Sequence, residues 1–270
     1  MNVWSPEDMT RKSTPEQIRA RFDADVERFS NLETGQSAAI DSPLHLELIA
    51  AAAVGVTPRP RRLLDLGCGP GNYTLKLLMA YAKAEAEDGA GGGSNGSDAP
   101  GRAGLSVEAV TLVDLSRPML DRARQRVAEA FPTLRIETVQ ADVRGFDFGV
   151  DRFDLVVAGQ CLHHLRDEPE WDAVFAGVFG SLRRGGSFWI ADSLEYHHPA
   201  VRELIRRRWA AYLTQFKDAD YARHVMEYVD VEDSPRPLAW QLQKLRAVGF
   251  VDLDVLHVHG RFGSFGGVRP

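Results

Sequence analysis

The stretch from residue 63 to residue 78, LLDLGCGPGNYTLKLL, constrains the fold of this chain more than any other part of the sequence. The leucine-rich segment 62–66 is too short for a helix and is followed by a glycine, so it predicts a buried strand. Apolar residues return at helical spacing over 72–84. In open α/β sheets, ligands bind outside the carboxyl ends of the strands. The glycine turn between this strand and this helix is therefore a predicted ligand site.

Strand and helix patterns continue to alternate after the turn. The further predicted strands lie at 107–113, 135–140, 153–158 and 187–192. The further predicted helices lie at 117–130, 170–183, 199–215 and 235–247. Two closing strands, 251–258 and roughly 262–268, are close enough in sequence to pair antiparallel at the sheet edge. The alternation predicts an α/β fold with a mostly parallel sheet and helices on both faces.

The chain is predicted to begin with a helical unit that precedes the sheet. A proline at the first helical position, Pro15, signals a helix that runs to about Phe29, and a second helix covers about 42–54. We therefore divide the chain into a helical N-terminal cap or lid at 1–55 and an α/β domain at 56–270.

Two parts of the α/β domain are interpreted as insertions. Residues 85–104 are rich in glycine and serine, and such a composition buries too little apolar surface to offset the entropy of ordering it. We expect a flexible surface loop there. Residues 196–235 predict a helical insertion that contributes to a substrate pocket.

Composition excludes several classes of protein. The net charge is −6, and nucleic acid is unlikely as a main partner because phosphate neutralisation supplies most nucleic-acid affinity. The cysteines, Cys68 and Cys161, are far apart in sequence and form neither a disulfide framework nor a zinc ligand set. No apolar segment has the length of a signal-peptide core or a membrane span. The expectation is a cytoplasmic protein with no membrane partner.

The spacing of the glycines discriminates between ligands. Gly67, Gly69 and Gly71 form G-x-G-x-G, which lacks the third glycine of the dinucleotide fingerprint G-x-G-x-x-G. A P-loop is excluded because no lysine and serine or threonine follow the glycines. Asp65, two residues before the first glycine, would repel a pyrophosphate and attract a cationic amino group. The turn therefore favours a nucleoside that carries an amino acid over a dinucleotide.

Acidic residues follow the next two strands in the same way. Asp114 stands at the end of VTLVD, where a carboxylate can accept hydrogen bonds from both hydroxyls of a ribose. Asp142, after the third strand, can accept a hydrogen bond from an adenine amino group, and Val143 and Phe146 offer apolar cover. The fourth strand ends at Gln160. Four successive strand ends thus present ligand-binding residue types.

Together these stretches, over about residues 60 to 195, resemble the class I S-adenosylmethionine-dependent methyltransferase family. The resemblance implies a Rossmann-like class I methyltransferase fold, with a seven-stranded sheet and an antiparallel last strand. It implies S-adenosylmethionine as the cofactor, with Asp65, Gly67 and Gly69 along the methionine moiety and Gln160 near the sulfonium. The full set of residues that we predict for the cofactor site is Asp65, Gly67, Cys68, Gly69, Gly71, Tyr73, Asp114, Leu115, Met119, Asp142, Val143 and Gln160.

The chemistry that follows depends on the acceptor. A hydroxyl, a phenol or an acidic carbon needs a base, and histidine is the usual base near neutral pH. His163 and His164, just after the fourth strand, are the predicted catalytic residues, with His163 preferred as general base. Adjacent histidines are expected to point apart and lack the i, i+4 spacing of a helical ligand pair, so no metal is predicted.

The acceptor is predicted to be a small molecule. An N-P-P-Y signature of amino-methylating nucleic-acid enzymes is absent after the fourth strand, and the chain is acidic. The acceptor pocket is expected to use residues outside the core fold. The candidates are Phe29, Asn31, Gln36, His197, Arg206 and Arg261.

Two other interpretations stay open. The C-terminal segment from LAWQLQKLRAVGF to FGSFGGV is similar to the ending of carboxy-S-adenosylmethionine synthases, although GCGPG is the ordinary methyltransferase form of the glycine turn. Alternatively, the chain binds S-adenosylmethionine without turnover and regulates a partner, because the binding residues alone do not establish catalysis. The oligomeric state, monomer or homodimer, is also open.

Overall fold

A computed structural model of the chain describes residues 12–31, 38–91 and 105–270. Its centre is one sheet. The strands are β1 (Arg62–Leu66), β2 (Ala109–Asp114), β3 (Arg135–Gln140), β4 (Phe153–Gly159), β5 (Leu182–Glu195), β6 (Arg236–Pro237), β7 (Val251–His259) and β8 (Phe262–Val268). Their order across the sheet is β3-β2-β1-β4-β5-β8-β7, and the two-residue strand β6 pairs with β5.

The sheet confirms the predicted fold class. Strands β1 to β5 pair in parallel, and β8 runs antiparallel to both of its neighbours, β5 and β7. Of the two closing strands, only β7 lies at an edge of the sheet, whereas the prediction placed both of them there. Strand β8 fits between its neighbours because it is rich in glycine: a Cβ on Gly266 would clash with the Trp189 ring. The last strand is therefore antiparallel and internal.

Helices cover both faces of the sheet. They are α1 (Pro15–Ala24), α2 (Val26–Ser30), α3 (Ser42–Val56), α4 (Asn72–Gly91), α5 (Arg117–Ala130), α6 (Glu168–Ser181), α7 (Pro199–Phe216), α8 (Ala219–Glu232) and α9 (Leu238–Val248). Helices α3, α4 and α5 pack on one face around Tyr81 and Trp189. Helices α6 and α9 pack on the other around Trp171 and Phe175. No described helix combines the length and apolarity that crossing a bilayer requires.

Helices α7 and α8 form a third layer above the carboxyl ends of the strands. Trp209 and Leu213 of α7 pack with Val225 and Val229 of α8 in a separate apolar cluster, which also contains Ile40. Side-chain caps fix where several helices begin. Thr14 and Gln17 form a capping box at α1, and the carboxylate of Asp218 accepts from a backbone N–H at the start of α8. This layer and the N-terminal helices enclose the space above the sheet.

Four boundaries differ from the sequence-based expectations. The first helix is interrupted at Asp25 and continues as α2. Helix α8 is a separate helix within the predicted helical insertion, and β5 begins five residues early, at Leu182. Helix α4 extends to Gly91, so the first seven residues of the predicted loop 85–104 are helical. Within this extension, the Glu85 carboxylate accepts the backbone N–H of Ser106 at 2.9 Å.

Candidate functional site

A cavity of about 540 Å³ lies at the carboxyl ends of β1 to β4. Its floor is formed by the residues that follow these strands, and its roof by α1, α2, α7 and α8. Ten of the twelve predicted cofactor residues line it: Gly67, Cys68, Gly69, Tyr73, Asp114, Leu115, Met119, Asp142, Val143 and Gln160. The fold therefore brings together the strand ends that the sequence singled out, at the place where α/β sheets bind ligands.

The glycine turn has a backbone that other residues adopt poorly. Gly67 has φ +61, and a Cβ on it would lie 2.9 Å from the Cys161 sulfur. Gly69 has φ +50 with open space beside it. Gly71 does not line the cavity, and it lets α4 approach α5, since its Cβ would lie 3.2 Å from Ala123. The first two glycines shape the cavity floor, and the third serves helix packing.

Asp65 lies behind the cavity wall, which corrects the prediction that it faces the ligand. The residue is 1% exposed. Its Oδ2 accepts from the Thr74 hydroxyl at 2.6 Å and from the Thr74 backbone N–H at 3.2 Å. Burial raises the pKa of Asp65 to about 7. Its carboxylate therefore joins the end of β1 to the first turn of α4, beneath the glycine turn.

Asp114 lines the cavity as predicted, and it also supports the glycine turn. Its Oδ2 accepts the Gly69 N–H at 2.8 Å, and its Oδ1 accepts the Ser116 N–H at 2.8 Å. Burial raises the pKa of Asp114 to about 6. Each carboxylate oxygen has a second lone pair, so two further hydrogen bonds can be accepted. The residue can hold the turn and two hydroxyl groups at once.

Asp142 is held by an arginine that the sequence analysis did not include. Arg144 donates to the Asp142 carboxylate from its backbone N–H and from two guanidinium nitrogens, and it also bonds Glu170. Burial opposes ionisation, but these hydrogen bonds outweigh it and lower the pKa of Asp142. Val143 and Arg144 line the cavity, whereas Phe146 meets Phe148 edge to face in the core. The spacing of Asp142 and Arg144, two residues apart, is the sequence signal from which this ion pair could have been predicted.

The end of β4 is shaped by close packing against Tyr73. A Cβ on Gly159 would clash with the Tyr73 ring. The next residue, Gln160, has φ 54, a left-handed backbone that only a few per cent of non-glycine residues adopt. Its N–H donates to the Ala191 carbonyl at 2.7 Å. Strained backbone of this kind clusters at ligand sites, and both residues line the cavity.

His163 lines the cavity but is fully engaged by two carboxylates. Its Nδ1 bonds Asp192, and its Nε2 lies 3.7 Å from Asp233. Burial by itself would lower the pKa of His163, but the two carboxylates outweigh burial and raise the pKa to about 9. The ring is therefore an imidazolium at neutral pH. This charge argues against a role as general base, and that role of His163 stays a prediction.

His164 behaves in the opposite way. Its ring nitrogens have no hydrogen-bond partner among the residues that the structure describes. Burial and the adjacent His163 hold its pKa well below the usual range, so it is neutral. The two rings lie 4.3 Å apart because residues 162–164 form a 3-10 turn. The expectation that adjacent histidines point apart was wrong. With Asp233 they form one of two clusters with metal-ligand spacing in the described chain.

Asp233, after α8, is a site residue that the sequence analysis missed. It is 5% exposed and lines the cavity. Its Oδ1 makes no hydrogen bond within the described parts of the chain, and Arg261 lies 3.7 Å from its Oδ2. Burial raises the pKa of Asp233, although His163 and Arg261 oppose this. Nothing in the sequence around position 233 signals this role, because the packing of α8 produces it.

Of the predicted acceptor residues that the structure describes, some lie at the cavity and others lie away from it. Phe29 lines the cavity, whereas Asn31 at the end of α2 does not. His197 is exposed before α7, and Arg206 pairs with Asp230 through two hydrogen bonds. Arg261 lies behind Asp233 with its guanidinium 4.3 Å from the Trp209 ring. Gln36 lies outside the described residues.

Comparisons with known proteins agree with this geometry. A family model described as a methyltransferase domain matches residues 86–186. The chain is 26% identical over 163 residues to a carboxy-S-adenosyl-L-methionine synthase of Aeromonas salmonicida, covering 57% of this chain and 62% of that protein. It spans 37% and 62% of the lengths of the two synthases that it matches.

Two solved structures from Burkholderia thailandensis have the same fold. An O-methyltransferase family protein matches with a TM-score of 0.61 and 17% identity, over 93% of this chain and 62% of that one. A 1,6-didemethyltoxoflavin-N1-methyltransferase, with S-adenosylhomocysteine bound, matches with a TM-score of 0.55 and 18% identity, over 95% and 90%. The chain therefore has the fold of these methyltransferases, and its residues 86–186 match a methyltransferase domain.

Proposed function

We propose that the chain transfers a methyl group from S-adenosylmethionine to a small organic acceptor held beneath α1, α2 and α8. The observation that carries the proposal is the cavity of about 540 Å³, which extends from the glycine turn to the His163 cluster. This volume is typical of small-molecule sites. The toxoflavin-precursor methyltransferase provides a precedent for such an acceptor on this fold.

The floor of the cavity suits S-adenosylmethionine. The backbone around Gly67 leaves space that a Cβ would fill, and Asp114 has two lone pairs for ribose hydroxyls. Val143 offers an apolar surface to the adenine ring of the cofactor. The bound cofactor supplies an electrophilic methyl group on its sulfonium. Tyr73 of α4 and Gln160 after β4 would exclude water beside it.

The roof suits an acceptor with a large apolar surface. Six aromatic side chains line the cavity above the floor: Phe22, Phe29, Trp209, Tyr221, Tyr228 and Phe262. Charged side chains that reach the same space are mostly paired, as Arg21 is with the buried Glu232. Asp233 faces His163 and Arg261 at 3.7 Å, which is beyond hydrogen-bond distance, and its Oδ1 has no hydrogen bond among the described residues. An acceptor that is aromatic or aliphatic and carries one proton-donating group would satisfy this oxygen.

A proton released by the acceptor has a defined destination. The His163 imidazolium does not accept a proton, whereas the neighbouring Asp233 carboxylate does. We infer that Asp233 receives the proton and that His163, fixed by Asp192, holds the Asp233 carboxylate in position through its charge. The rate of methyl transfer then depends mainly on alignment of the acceptor with the methyl group, and the base contributes on the order of 10²–10⁴-fold.

The test combines an acceptor screen with matched variants. The protein is incubated with labelled methyl donor and a panel of aromatic and aliphatic hydroxyl and amino compounds, and S-adenosylhomocysteine release is measured. Asp233→Asn should lower turnover at least a hundredfold with donor affinity unchanged. Asp230→Asn, an exposed acid on α8 that pairs with Arg206, serves as the control and should retain activity. Full activity in Asp233→Asn would remove Asp233 from the reaction.

A second candidate is a carboxy-S-adenosylmethionine synthase-like activity, favoured by the sequence similarity to two such synthases. The same incubation distinguishes the two by mass spectrometry. A methyltransferase releases S-adenosylhomocysteine together with a methylated acceptor. A synthase-like enzyme, given a carboxylic acid co-substrate that can give up its carboxyl group as CO2, leaves a donor-derived sulfonium that is heavier by the mass of CO2. Tight donor binding with neither product would instead favour a binding protein without turnover.

A further inference from the structure

We propose a Zn²⁺ site formed by Asp41, His257 and His259, on the outer edge of the sheet and separate from the cavity. Strand β7 alternates its side chains, so positions 257 and 259 lie on the same side of the strand. Both imidazoles meet one carboxylate oxygen: His257 Nε2 lies 2.9 Å and His259 Nδ1 lies 2.8 Å from Asp41 Oδ2. Three possible ligand atoms therefore converge on one point.

The three groups are the right donors in nearly the right positions. Two imidazoles and one carboxylate are a common ligand set for Zn²⁺, which takes ligands at about 2.0–2.2 Å. Tetrahedral coordination at that length separates ligand atoms by about 3.3 Å. The observed hydrogen-bond distances need to widen by only about half an ångström, and His259 is 51% exposed and can rotate. A water molecule would complete the coordination.

The side chain of Asp41 bonds the two histidines and does not cap the helix that it precedes. It is the N-cap residue of α3, where aspartate normally accepts a backbone N–H of the first turn. Its side chain makes no such hydrogen bond, and its backbone is left-handed, with φ 60. Left-handed backbone costs a non-glycine residue about 1–2 kcal/mol. The strained backbone and the absent cap both direct the carboxylate toward β7.

A fourth histidine stands behind the cluster. His45, one turn into α3, is 1% exposed, and its ring lies 5.1 Å from that of His257. Apart from an interaction with the Ile40 backbone, its ring nitrogens have no hydrogen-bond partner among the described residues. This buried imidazole therefore packs directly behind the candidate ligand His257.

The site would fasten one wall of the cavity. Ala38 and Ala39, directly before Asp41, line the cavity, and the Ala38 carbonyl accepts from the Trp209 indole N–H at 2.8 Å. Zn²⁺ would link this segment to β7 at the edge of the sheet. The inference is independent of the reaction, because it concerns only the attachment of residues 38–41. The expected result is a structural cation that raises stability.

The experiment is calorimetric titration of the chelator-treated full chain with Zn²⁺ alone. Wild type should bind Zn²⁺ at this site, and His257→Ala with His259→Ala should lower the stoichiometry by one. His197→Ala, which removes an exposed histidine outside the cluster, is the matched control and should bind as wild type does. Because His163, His164 and Asp233 also have ligand spacing, a second equivalent retained by the double variant belongs to them. Equal stoichiometry in wild type and the double variant would overturn the proposal.

Thermal unfolding provides a second readout that does not depend on stoichiometry. Zn²⁺ should raise the Tm of wild type and should not raise that of His259→Ala. This side chain is half exposed, so its removal leaves the core intact. An equal Zn²⁺-induced shift in both proteins would place the cation elsewhere. No shift in either would leave Asp41 and the two histidines as an ordinary hydrogen-bonded cluster and refute the site.

Discussion

Replacing His163 with glutamine should remove much of the pH dependence of stability between about pH 6.5 and 9. Burial would lower the pKa of His163, but Asp192 and Asp233 outweigh it and raise the pKa from 6.5 to about 9. A raised pKa stabilises the folded state fully below the unfolded-state value, and this contribution is lost as the pH rises through the folded-state value. Each pKa unit corresponds to about 1.4 kcal/mol. The contribution that wild type loses on passing from about pH 6.5 to above pH 9 is therefore about 3 kcal/mol.

The assay is urea unfolding of wild type and His163→Gln at intervals over this pH range. The difference in free energy of unfolding between the two proteins isolates the contribution of His163. Other groups that titrate in the same pH range, such as Asp65, whose pKa burial raises to about 7, are present in both proteins. His197→Gln, at an exposed position, is the control and should follow wild type. If wild type and His163→Gln lose the same free energy of unfolding over the range, His163 is not an imidazolium in the folded protein. The general-base role that the sequence suggested would then return.

Three further predictions concern the cavity floor. Gly67→Ala should destabilise the protein by about 2–5 kcal/mol in urea unfolding, from about 1–2 for the left-handed backbone and about 1–3 for overpacking against Cys161. Gly69→Ala has only the backbone cost, since the space beside it is open; equal losses in both variants would contradict the steric account. Asp114→Ala should weaken S-adenosylmethionine binding at least tenfold, because charge-assisted hydrogen bonds to the ligand and support for the Gly69 N–H are lost together; unchanged affinity by calorimetry would exclude Asp114 from the site. NAD should not displace S-adenosylmethionine, and competition at similar affinity would reverse the interpretation of the glycine spacing.

The floor of the site was predictable because local sequence and sheet topology determine it. Gly67, Asp114 and Gln160 each stand at the end of a strand with a clear pattern, and parallel strands bring their carboxyl ends to one edge of the sheet. Asp65 stands one residue before the end of β1, yet it lies behind the wall. Its position depends on a hydrogen bond with the Thr74 hydroxyl, which no spacing rule contains. The position of a residue at a strand end therefore predicts that it lies near the ligand site. The direction of its side chain depends on its hydrogen-bond partner, which the sequence pattern does not give.

The roof was less predictable because its residues meet only through packing between distant segments. Helix α8 was absorbed into a generic helical insertion, and Asp233 at its end was not considered. His163 was singled out correctly as a cavity residue, but its charge depends on Asp192, 29 residues further along the chain, and on Asp233. Protonation states are set by such long-range neighbours. A sequence pattern therefore names the titratable group more readily than its charge.

The way the roof is attached bears on how an acceptor enters. Helices α1 and α2 bury one side chain between them, Ile18. Polar contacts tie them to the rest of the chain: Asp23 accepts from the Ser116 hydroxyl at 2.6 Å, and the Phe29 carbonyl accepts from the Asn72 amide at 3.1 Å. Elements with few buried apolar contacts open at low free energy, whereas the sheet below opens only with global unfolding. The rigid floor is therefore suited to hold the donor, and the loosely packed helices α1 and α2 are suited to admit different acceptors and then exclude water from the reacting groups.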